Sequence, residues 1–352
     1  MLEKFLKGTY SFERQLGKNI VFSKDEIAII HKRKAFWEKL VHIENLINLP
    51  YFSQINQSEL NMLLGEKGFE AKENDDLKEW EAMDQAIRNK KYGSVDLPKF
   101  KWINPTTQKA EDDTPFINFF IPFIKYAKGR LDEQINKCGT RYLVNDNLQK
   151  DMVKILIGHL YKLCIRVLIL ELNVCREENQ LQGENATERM EFYSNVILKD
   201  EQYWEGLLVE YPVMYRLISK GVNNWINNMC DLLTRFSADQ NYLCSIFRDN
   251  SRSFSIIKLD GDMSDAHNGG KTVFKLTLSN NKTIVYKPRS LKLDRYFNEV
   301  LEWYNSQCVK YPIYQPKIID RETYGWMEFI ENKKCQKESE LEEYYYKIGV
   351  ML

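Results

Sequence analysis

Residues 261–290 have the sequence GDMSDAHNGGKTVFKLTLSNNKTIVYKPRS, and this segment decides the fold. Apolar and polar side chains alternate over residues 272–278 and again over residues 283–287. A period of two residues is typical of β-strands, and the intervening residues 279–282 are rich in turn-forming types. The sequence therefore predicts a β-hairpin that follows a glycine-containing turn and ends at Lys287.

The turn and the end of the hairpin carry residue types that bind phosphate. Gly269 and Gly270 let backbone N–H groups approach a phosphate, because no Cβ intervenes. The ammonium group of Lys287 supplies the opposing charge, and Arg289 offers a forked guanidinium group. This combination predicts a nucleotide site. A surface hairpin with a polar loop is the alternative, because short glycine motifs also occur by chance.

The segments around the hairpin extend the pattern to a small sheet. Strands are predicted at residues 254–259, 316–320 and 324–330, and helices at residues 294–305 and 341–352. We expect an antiparallel sheet over residues 254–330, with the 294–305 helix packed on it. Strands, one helix, further strands and then a second helix follow each other as in the N-terminal lobe of a protein kinase.

The first 250 residues are predicted to be mainly helical. Apolar residues recur at helical spacing over residues 25–49, 115–131, 148–174, 203–219 and 222–238, and a further helix starts at Ser58. Pro50 is expected to end the first helix, and the aromatic side chains of residues 115–131 are expected to lie in the core. We therefore predict an α+β fold with a helical region over residues 1–250 and a sheet-containing lobe over residues 251–352.

Composition excludes several classes of protein. The chain of 352 residues has 50 Lys plus Arg and 50 Asp plus Glu, so it lacks the basic surface that bulk nucleic-acid binding requires. Its seven cysteines form no C-x-x-C pair, so neither a disulfide framework nor a zinc site is indicated. Reduced thiols in a cytoplasmic protein are the simplest interpretation.

Membrane insertion and secretion are not expected either. The first residues are charged and lack the apolar core of a signal peptide. The most apolar run, residues 152–175, is interrupted by Lys154, Lys162, Arg166 and Glu171, whereas a spanning helix needs about 20 mainly apolar residues. We expect this run to be a buried helix and the chain to have no transmembrane segment.

The residues themselves resemble one family. The pattern G-D-x-S-D-x-H-N-G-G-[KR]-x-V, followed by a hairpin and V-Y-K-P-R-S-L, closely resembles the dehydratase domain of type 2 lanthipeptide synthetases, the LanM class. Further segments follow in that family's order: Glu171–Asn173, Gly183, Arg189, Glu210–Val213, the Trp225 region, Tyr324–Ile330, Cys335 and Tyr344–Gly349. The resemblance covers most of residues 115–352.

The resemblance implies a fold and an activity. The family's dehydratase resembles an elaborated lipid-kinase fold. It uses ATP and Mg²⁺ to phosphorylate Ser and Thr of a precursor peptide, and it then eliminates phosphate to give dehydroalanine and dehydrobutyrine. The two steps make chemical sense, because hydroxide is a poor leaving group and phosphate a good one. The chain is thus expected to act in lantibiotic biosynthesis, with a leader-plus-core peptide as its partner.

The resemblance also implies roles for individual residues. A strand lysine in a kinase-like site holds the α- and β-phosphates, and a helix glutamate fixes that lysine. Lys287 is the candidate lysine; Glu299 and Glu302 are both candidate partners, and the sequence does not choose between them. Asp265 and His267 match the family's D-x-H, which implies roles near the site of phosphate transfer and elimination. A histidine can titrate near neutral pH, as a proton-transfer group must.

One departure from the family bears on activity. The family's Mg²⁺-holding segments, D-x-H-x-x-N and D-x-E, would lie beyond Leu352, as would its zinc cyclase domain. We therefore expect the chain to be the N-terminal part of the dehydratase, truncated before the catalytic loop, which needs the C-terminal part in cis or in trans. The alternatives are an incomplete peptide-binding module and one half of a split enzyme. An ordinary kinase is disfavoured by the G-D-x-S-D-x-H context.

Overall fold

A computed structural model describes most of the chain. The described residues are 8, 14–16, 21–49, 56–65, 69–71, 75–98, 102–103, 110–111, 115–246, 254–261, 269–307 and 310–351. Helices predominate up to residue 246, and a five-stranded antiparallel sheet follows. The predicted α+β class is therefore confirmed.

The chain divides into two compact units. One unit comprises residues 1–91 and 163–220, and the other comprises residues 92–162 and 221–352. Two long helices, α5 (Asp146–Glu177) and α8 (Pro212–Ile246), contribute residues to both units. The division of the sequence into regions 1–250 and 251–352 stays a prediction.

The first unit is mainly helical. Its helices are α1 (Lys24–Leu40), α2 (Gln57–Gly65), α3 (Asp75–Arg88), α6 (Ala186–Asn195) and α7 (Glu201–Glu210), and strand β1 (Arg14–Leu16) pairs antiparallel with β2 (Phe69–Ala71). In its core, Trp80 packs edge-on against Tyr215, with ring centroids 5.4 Å apart. The Tyr215 hydroxyl donates to Asp84 Oδ1 at 2.7 Å, and Arg88 Nε donates to the other carboxylate oxygen at 3.0 Å.

The helix α1 is shorter than the sequence predicts. It begins as expected, with a capping box between Ser23 and Glu26, but it ends at Leu40 and does not continue to residue 49. His42 has a φ of +57°, a left-handed conformation that a helix cannot continue through. Asn45 then caps a separate 3₁₀ turn over residues 46–48. Backbone conformation, and not Pro50, therefore ends the helix.

The second unit has a helical and a sheet-containing part. Its helical part consists of α4 (Ile117–Lys137) and the portions of α5 and α8 assigned to this unit, together with the short strands β3 (Trp102–Ile103) and β4 (Ala110–Glu111). As predicted, the aromatic side chains of α4 are core: Phe119, Phe120 and Phe123 are fully buried.

The helix α8 is continuous where the sequence predicts two helices. The break lies earlier, between Glu210 and Pro212, because a proline fits the first position of a helix, where its missing N–H is not needed. Gly221 does not interrupt α8. A Cβ at this glycine would lie 2.8 Å from Nε2 of His159 on α5. The glycine therefore permits close approach of two helices, at a cost of about 1 kcal/mol in helix propensity.

The sheet has the predicted strands. These are β5 (Ile256–Asp260), β6 (Phe274–Leu278), β7 (Thr283–Lys287), β8 (Ile318–Asp320) and β9 (Gly325–Glu328), in the order β5-β6-β7-β9-β8 and antiparallel throughout. Helix α9 (Lys292–Ser306) connects β7 to β8, and α10 (Glu338–Met351) follows β9. The antiparallel sheet expected over residues 254–330 is thus confirmed.

Side-chain amides attach helix α9 to the segment that leads into β8. Asn298 Nδ2 donates to the carbonyl oxygen of Pro316 at 2.8 Å. The Asn305 side chain bonds both backbone groups of Ile313, each at 2.8 Å. Leu301, a residue of α9, is buried. These contacts hold α9 beside the segment that leads into β8, as the sequence predicts.

Candidate functional site

A row of polar residues on α8 faces the sheet-containing part of its unit. The row consists of Asn228, Asp231, Arg235 and Asp239, spaced by three or four residues, so the four side chains share one side of the helix. No role was predicted for any of them from the sequence. Their spacing of three or four residues is a weak sequence signal, because α8 carries many other polar residues.

Asn228 holds the glycine turn. Its Nδ2 donates to the carbonyl oxygens of Gly270 at 3.0 Å and of Gly269 at 3.3 Å. Both glycines are left-handed, with φ values of +82° and +71°, which residues with a Cβ adopt rarely. A Cβ on Gly270 would also lie 3.3 Å from Cβ of Asn224 on α8. The two glycines predicted to form the turn are therefore required by conformation, and the second also by space.

Arg235 anchors the strand that carries Lys287. Its Nη1 donates to the hydroxyl of Tyr286, and its Nη2 pairs with Asp231 Oδ2 at 3.1 Å. The guanidinium also lies over the Tyr324 ring, 4.6 Å from its centroid. Burial raises the pKa of Tyr286, and the hydrogen bond from Arg235 offsets part of that rise. The residue before Lys287 is thus tied to α8.

Lys287 and Arg289 share one carboxylate. Lys287 Nζ donates to Asp294 Oδ1 and Arg289 Nη1 donates to Asp294 Oδ2, both at 2.9 Å. Burial alone would raise the pKa of Asp294, but the hydrogen bonds and charges of the two cations outweigh it and hold that pKa below its ordinary value. The Arg289 side chain is 57% exposed, whereas those of Lys287 and Asp294 are largely buried.

The partner of Lys287 differs from the one expected. Glu299 and Glu302 are exposed on α9, and the carboxylate that Lys287 contacts is Asp294. Asp294 lies in the first turn of α9, which begins five residues after Lys287, so the short connection brings that turn to the lysine. Glu299 lies five residues further along α9, about 7.5 Å along the helix axis. The kinase-based expectation therefore placed the acid too far along the helix.

The glycine turn and the end of β7 approach the same part of α8. Lys271 and Thr272, which follow the turn, line a narrow space together with Asn228, Arg235 and Pro288, the residue after Lys287. Gly269, Gly270, Lys287 and Arg289 thus belong to one unit, and residues next to them in the sequence line this space. Asp265 and His267 lie outside the described residues, so their expected roles stay predictions.

At the other end of the polar row, Asp239 forms a closed cluster. Its carboxylate accepts hydrogen bonds from Trp326 Nε1 at 2.8 Å and from the Tyr324 hydroxyl at 3.0 Å, and it pairs with Arg321 Nη2 at 2.7 Å. Asp239 is 2% exposed. Burial, together with Asp239, raises the pKa of Tyr324 to about 12. Arg321 also lies 3.9 Å from the centroid of the Tyr242 ring. This cluster ties the β8–β9 turn to α8.

Among the described residues, no group of three or more His, Cys, Asp or Glu side chains is arranged to hold a metal ion. Within the same part of the chain, no helix is both long enough and apolar enough to cross a membrane.

Comparison with known proteins gives two matches. A family described as a domain of unknown function (DUF4135) matches residues 211–352, which include α8, the sheet and Lys287. The lacticin 481/lactococcin biosynthesis protein LcnDR2 of Lactococcus lactis subsp. lactis is 29% identical over 240 residues, 65% of this chain. The aligned region is 24% of that protein's length, so the match spans about a quarter of it. Both matches support the resemblance to lanthipeptide synthetases.

Proposed function

We propose that this chain contributes the nucleotide-facing part of a type 2 lanthipeptide synthetase dehydratase. The observation that carries the proposal is the pair of cations, Lys287 and Arg289, on a single carboxylate at the end of the hairpin that follows a turn of two left-handed glycines. Two cations on one carboxylate carry one net positive charge, and glycines without a Cβ leave their backbone N–H groups open to an anion; both features suit a phosphate group. The similarity to a lacticin biosynthesis protein supports the choice of reaction.

The topology of the lobe supports the same proposal. An antiparallel sheet carries the lysine at the end of one strand, and the next helix, α9, supplies the acid that pairs with it. Protein kinases use a strand lysine and a helix acid in this way to hold the phosphates of ATP. We propose that residues 251–352 are a kinase-like N-terminal lobe in which Asp294 takes the position of the helix acid.

The proposed chemistry has two steps. A Ser or Thr hydroxyl of the precursor peptide attacks the γ-phosphorus of ATP and loses its proton, and the bond to ADP breaks. The α-proton of the phosphorylated residue is then removed, and its electron pair forms the Cα–Cβ double bond as phosphate leaves. Lys287 and Arg289 bind phosphate oxygens in the first step. We assign Asp265 and His267 to proton movement near the reacting groups.

The proposal includes partners and a location. The substrate is a precursor peptide, and the C-terminal part of the synthetase acts with this chain in cis or in trans. Mg²⁺ accompanies ATP in phosphoryl transfers, and we expect its ligands outside the described residues. A cytoplasmic location fits a reaction that uses ATP.

Mass spectrometry tests the proposed reaction. The purified chain is incubated with ATP, Mg²⁺ and a precursor peptide, with and without a polypeptide that carries the C-terminal part of a synthetase. We expect phosphorylated or dehydrated peptide only when both polypeptides are present. In that mixture Lys287→Ala should lower the rate about 10²- to 10³-fold, because a charge at the transferring phosphoryl group is lost.

The control is another lysine of the same sheet. Lys258 pairs with Asp260 and its side chain is 59% exposed, so Lys258→Ala should leave the rate unchanged. Normal modification by the Lys287→Ala variant would refute the assigned role. Dehydration by the chain alone would refute the need for a second part. Peptide binding without modification, even in the full mixture, would favour the alternative of a peptide-binding module.

A further inference from the structure

We propose that Asn228 is a positioning residue that sets the orientation of the glycine turn for phosphate binding. The inference rests on the proposed nucleotide site and adds a residue on α8 to it. The hydrogen bonds of Asn228 go to the backbone of Gly269 and Gly270 and not to Lys287. Its role would therefore be exerted through the turn.

The geometry of the peptide bond gives this contact a direction. In a trans peptide, the carbonyl oxygen and the following N–H point to opposite sides. Asn228 draws the carbonyl oxygens of both glycines toward α8. The N–H groups of Gly270 and Lys271 are therefore directed away from the helix. Backbone N–H groups that share a direction form the kind of concave surface that binds anions.

The chemistry of the side chain fits the task. A neutral carboxamide has two N–H donors on one nitrogen, so Asn228 can serve two carbonyl oxygens at once. A carboxylate of the same shape has no donor, and it would repel the carbonyl oxygens. Glycine also loses more conformational freedom on ordering than any other residue. Two consecutive left-handed glycines therefore gain more from an anchor than an ordinary turn would.

The same helix fixes both halves of the proposed site. Arg235 lies seven residues after Asn228, about 10.5 Å along the helix axis, and holds Tyr286 next to Lys287. Asn228 holds the turn. The turn and the end of β7 are thereby anchored to one helix, α8, which is continuous between the two anchors. Loss of either anchor should weaken phosphate binding without removing a group that touches phosphate.

The matched pair of variants is Asn228→Asp and Asn227→Asp. Each replaces a carboxamide by an isosteric carboxylate, and the two positions are adjacent on α8, so the added charge is nearly the same. Asn227 is exposed, whereas Asn228 is half-buried against the turn. Asn228→Gln, which keeps both donors on a longer arm, serves as a third variant and should recover part of the function.

Two measurements on the purified chain follow from this. Amide hydrogen exchange over residues 269–273 should be faster in Asn228→Asp and unchanged in Asn227→Asp. The affinity for a fluorescent ATP analogue should fall about tenfold or more in Asn228→Asp, because both hydrogen bonds to the turn are lost, with Asn228→Gln in between. In the completed enzyme the KM for ATP should rise while the KM for the peptide stays the same.

The outcomes separate this inference from the proposed function. Faster exchange in the turn together with weaker nucleotide binding supports the role of Asn228. Exchange and affinity equal to those of the unchanged chain would overturn it, and so would general unfolding of the Asn228→Asp variant, because the role is local. If the unchanged chain binds no nucleotide, the proposed function fails, while hydrogen exchange still tests whether Asn228 orders the turn.

Discussion

The two polar clusters on the sheet-containing unit consist of similar residues but differ in burial and in charge balance. At Asp239, one carboxylate receives an arginine, a tryptophan and a tyrosine, and the acid is 2% exposed. At Asp294, one carboxylate receives a lysine and an arginine, and the arginine is 57% exposed. The first cluster is closed and has no net charge; the second is open and has an excess of one positive charge.

This difference indicates how function can be separated from structure. A buried carboxylate whose donors all come from the protein holds elements together, and nothing is left to bind a ligand. An exposed cation that shares its acid with a second cation can still bind an anion. Burial and charge balance, more than residue type, therefore distinguish the Asp239 cluster from the Asp294 cluster. Four predictions test that distinction.

The largest effect is expected at the closed cluster. Asp239→Ala removes the acid and leaves Arg321 and the Trp326 indole N–H without their partner. Breaking a buried ion pair in this way costs about 3–5 kcal/mol in the free energy of unfolding, here toward the lower value because the Arg321 side chain is 28% exposed. Urea unfolding followed by tryptophan fluorescence measures it.

The control for this variant is Asp260→Ala. Asp260 pairs with Lys258 on the surface of the same sheet, where ion pairs contribute less than about 1 kcal/mol. Equal unfolding midpoints for the two variants would show that the Asp239 cluster does not hold the sheet as described.

A smaller effect is expected at Tyr286, where α8 holds the strand of Lys287. Tyr286→Phe removes the acceptor of Arg235 but keeps the ring, and Asp231 still pairs with the guanidinium. We expect a loss of about 1.5–3 kcal/mol, typical of a hydrogen bond to a charged group. Thermal unfolding measures it. Tyr314→Phe, an exposed tyrosine that bonds Glu328 on the same sheet, should change stability by less than about 0.5 kcal/mol.

The positions of the strands could be predicted from the sequence, whereas pairings between distant residues could not. Alternation over residues 272–278 and 283–287 is a local signal, and the strands lie there. The placement of β9 between β7 and β8 depends on contacts that no local pattern contains. The prediction of the partner of Lys287 was wrong for the same reason. The choice of Asp294 depends on the length of the connection and the start of α9, not on the spacing of acids along that helix.

The role of α8 was missed for a related reason. Asn228 and Asp239 look like ordinary surface residues in the sequence, because nothing local marks which side of a helix another element will cover. In the structure, the polar side of α8 contacts the glycine turn through Asn228 and Tyr286 of β7 through Arg235. Through Asp239 it contacts Trp326 of β9 and Tyr324, which precedes β9. The glycines, by contrast, were found from the sequence, since their conformation limits the residue type.

The smallest effect on stability concerns the pH dependence of the open cluster. Lys287 and Arg289 hold the pKa of Asp294 below its ordinary value of 3.8, so the unfolded chain takes up a proton there at higher pH than the folded one. The contribution to stability is therefore present above about pH 4 and is lost as pH falls through the lower, folded pKa. We expect less than about 1 kcal/mol.

The variant Asp294→Asn isolates this contribution. Its unfolding free energy, relative to that of the unchanged chain, should differ less at pH 3 than at pH 6, because protonation removes the same charge that the substitution removes. A difference that grows as pH falls would contradict the assigned ion pairs. Asp260→Asn, at a surface pair of the same sheet, corrects for the general effect of acid.

Nucleotide-dependent hydrogen exchange on the purified chain tests most directly whether the open cluster binds phosphate and the closed one does not. With ATP and Mg²⁺, exchange should slow over residues 269–273 and 286–294 and stay constant around Asp239; Lys287→Ala should abolish the protection, and Lys258→Ala should preserve it. No protection at either segment, or equal protection in the Lys287→Ala variant, would contradict the assignment of this site to a nucleotide.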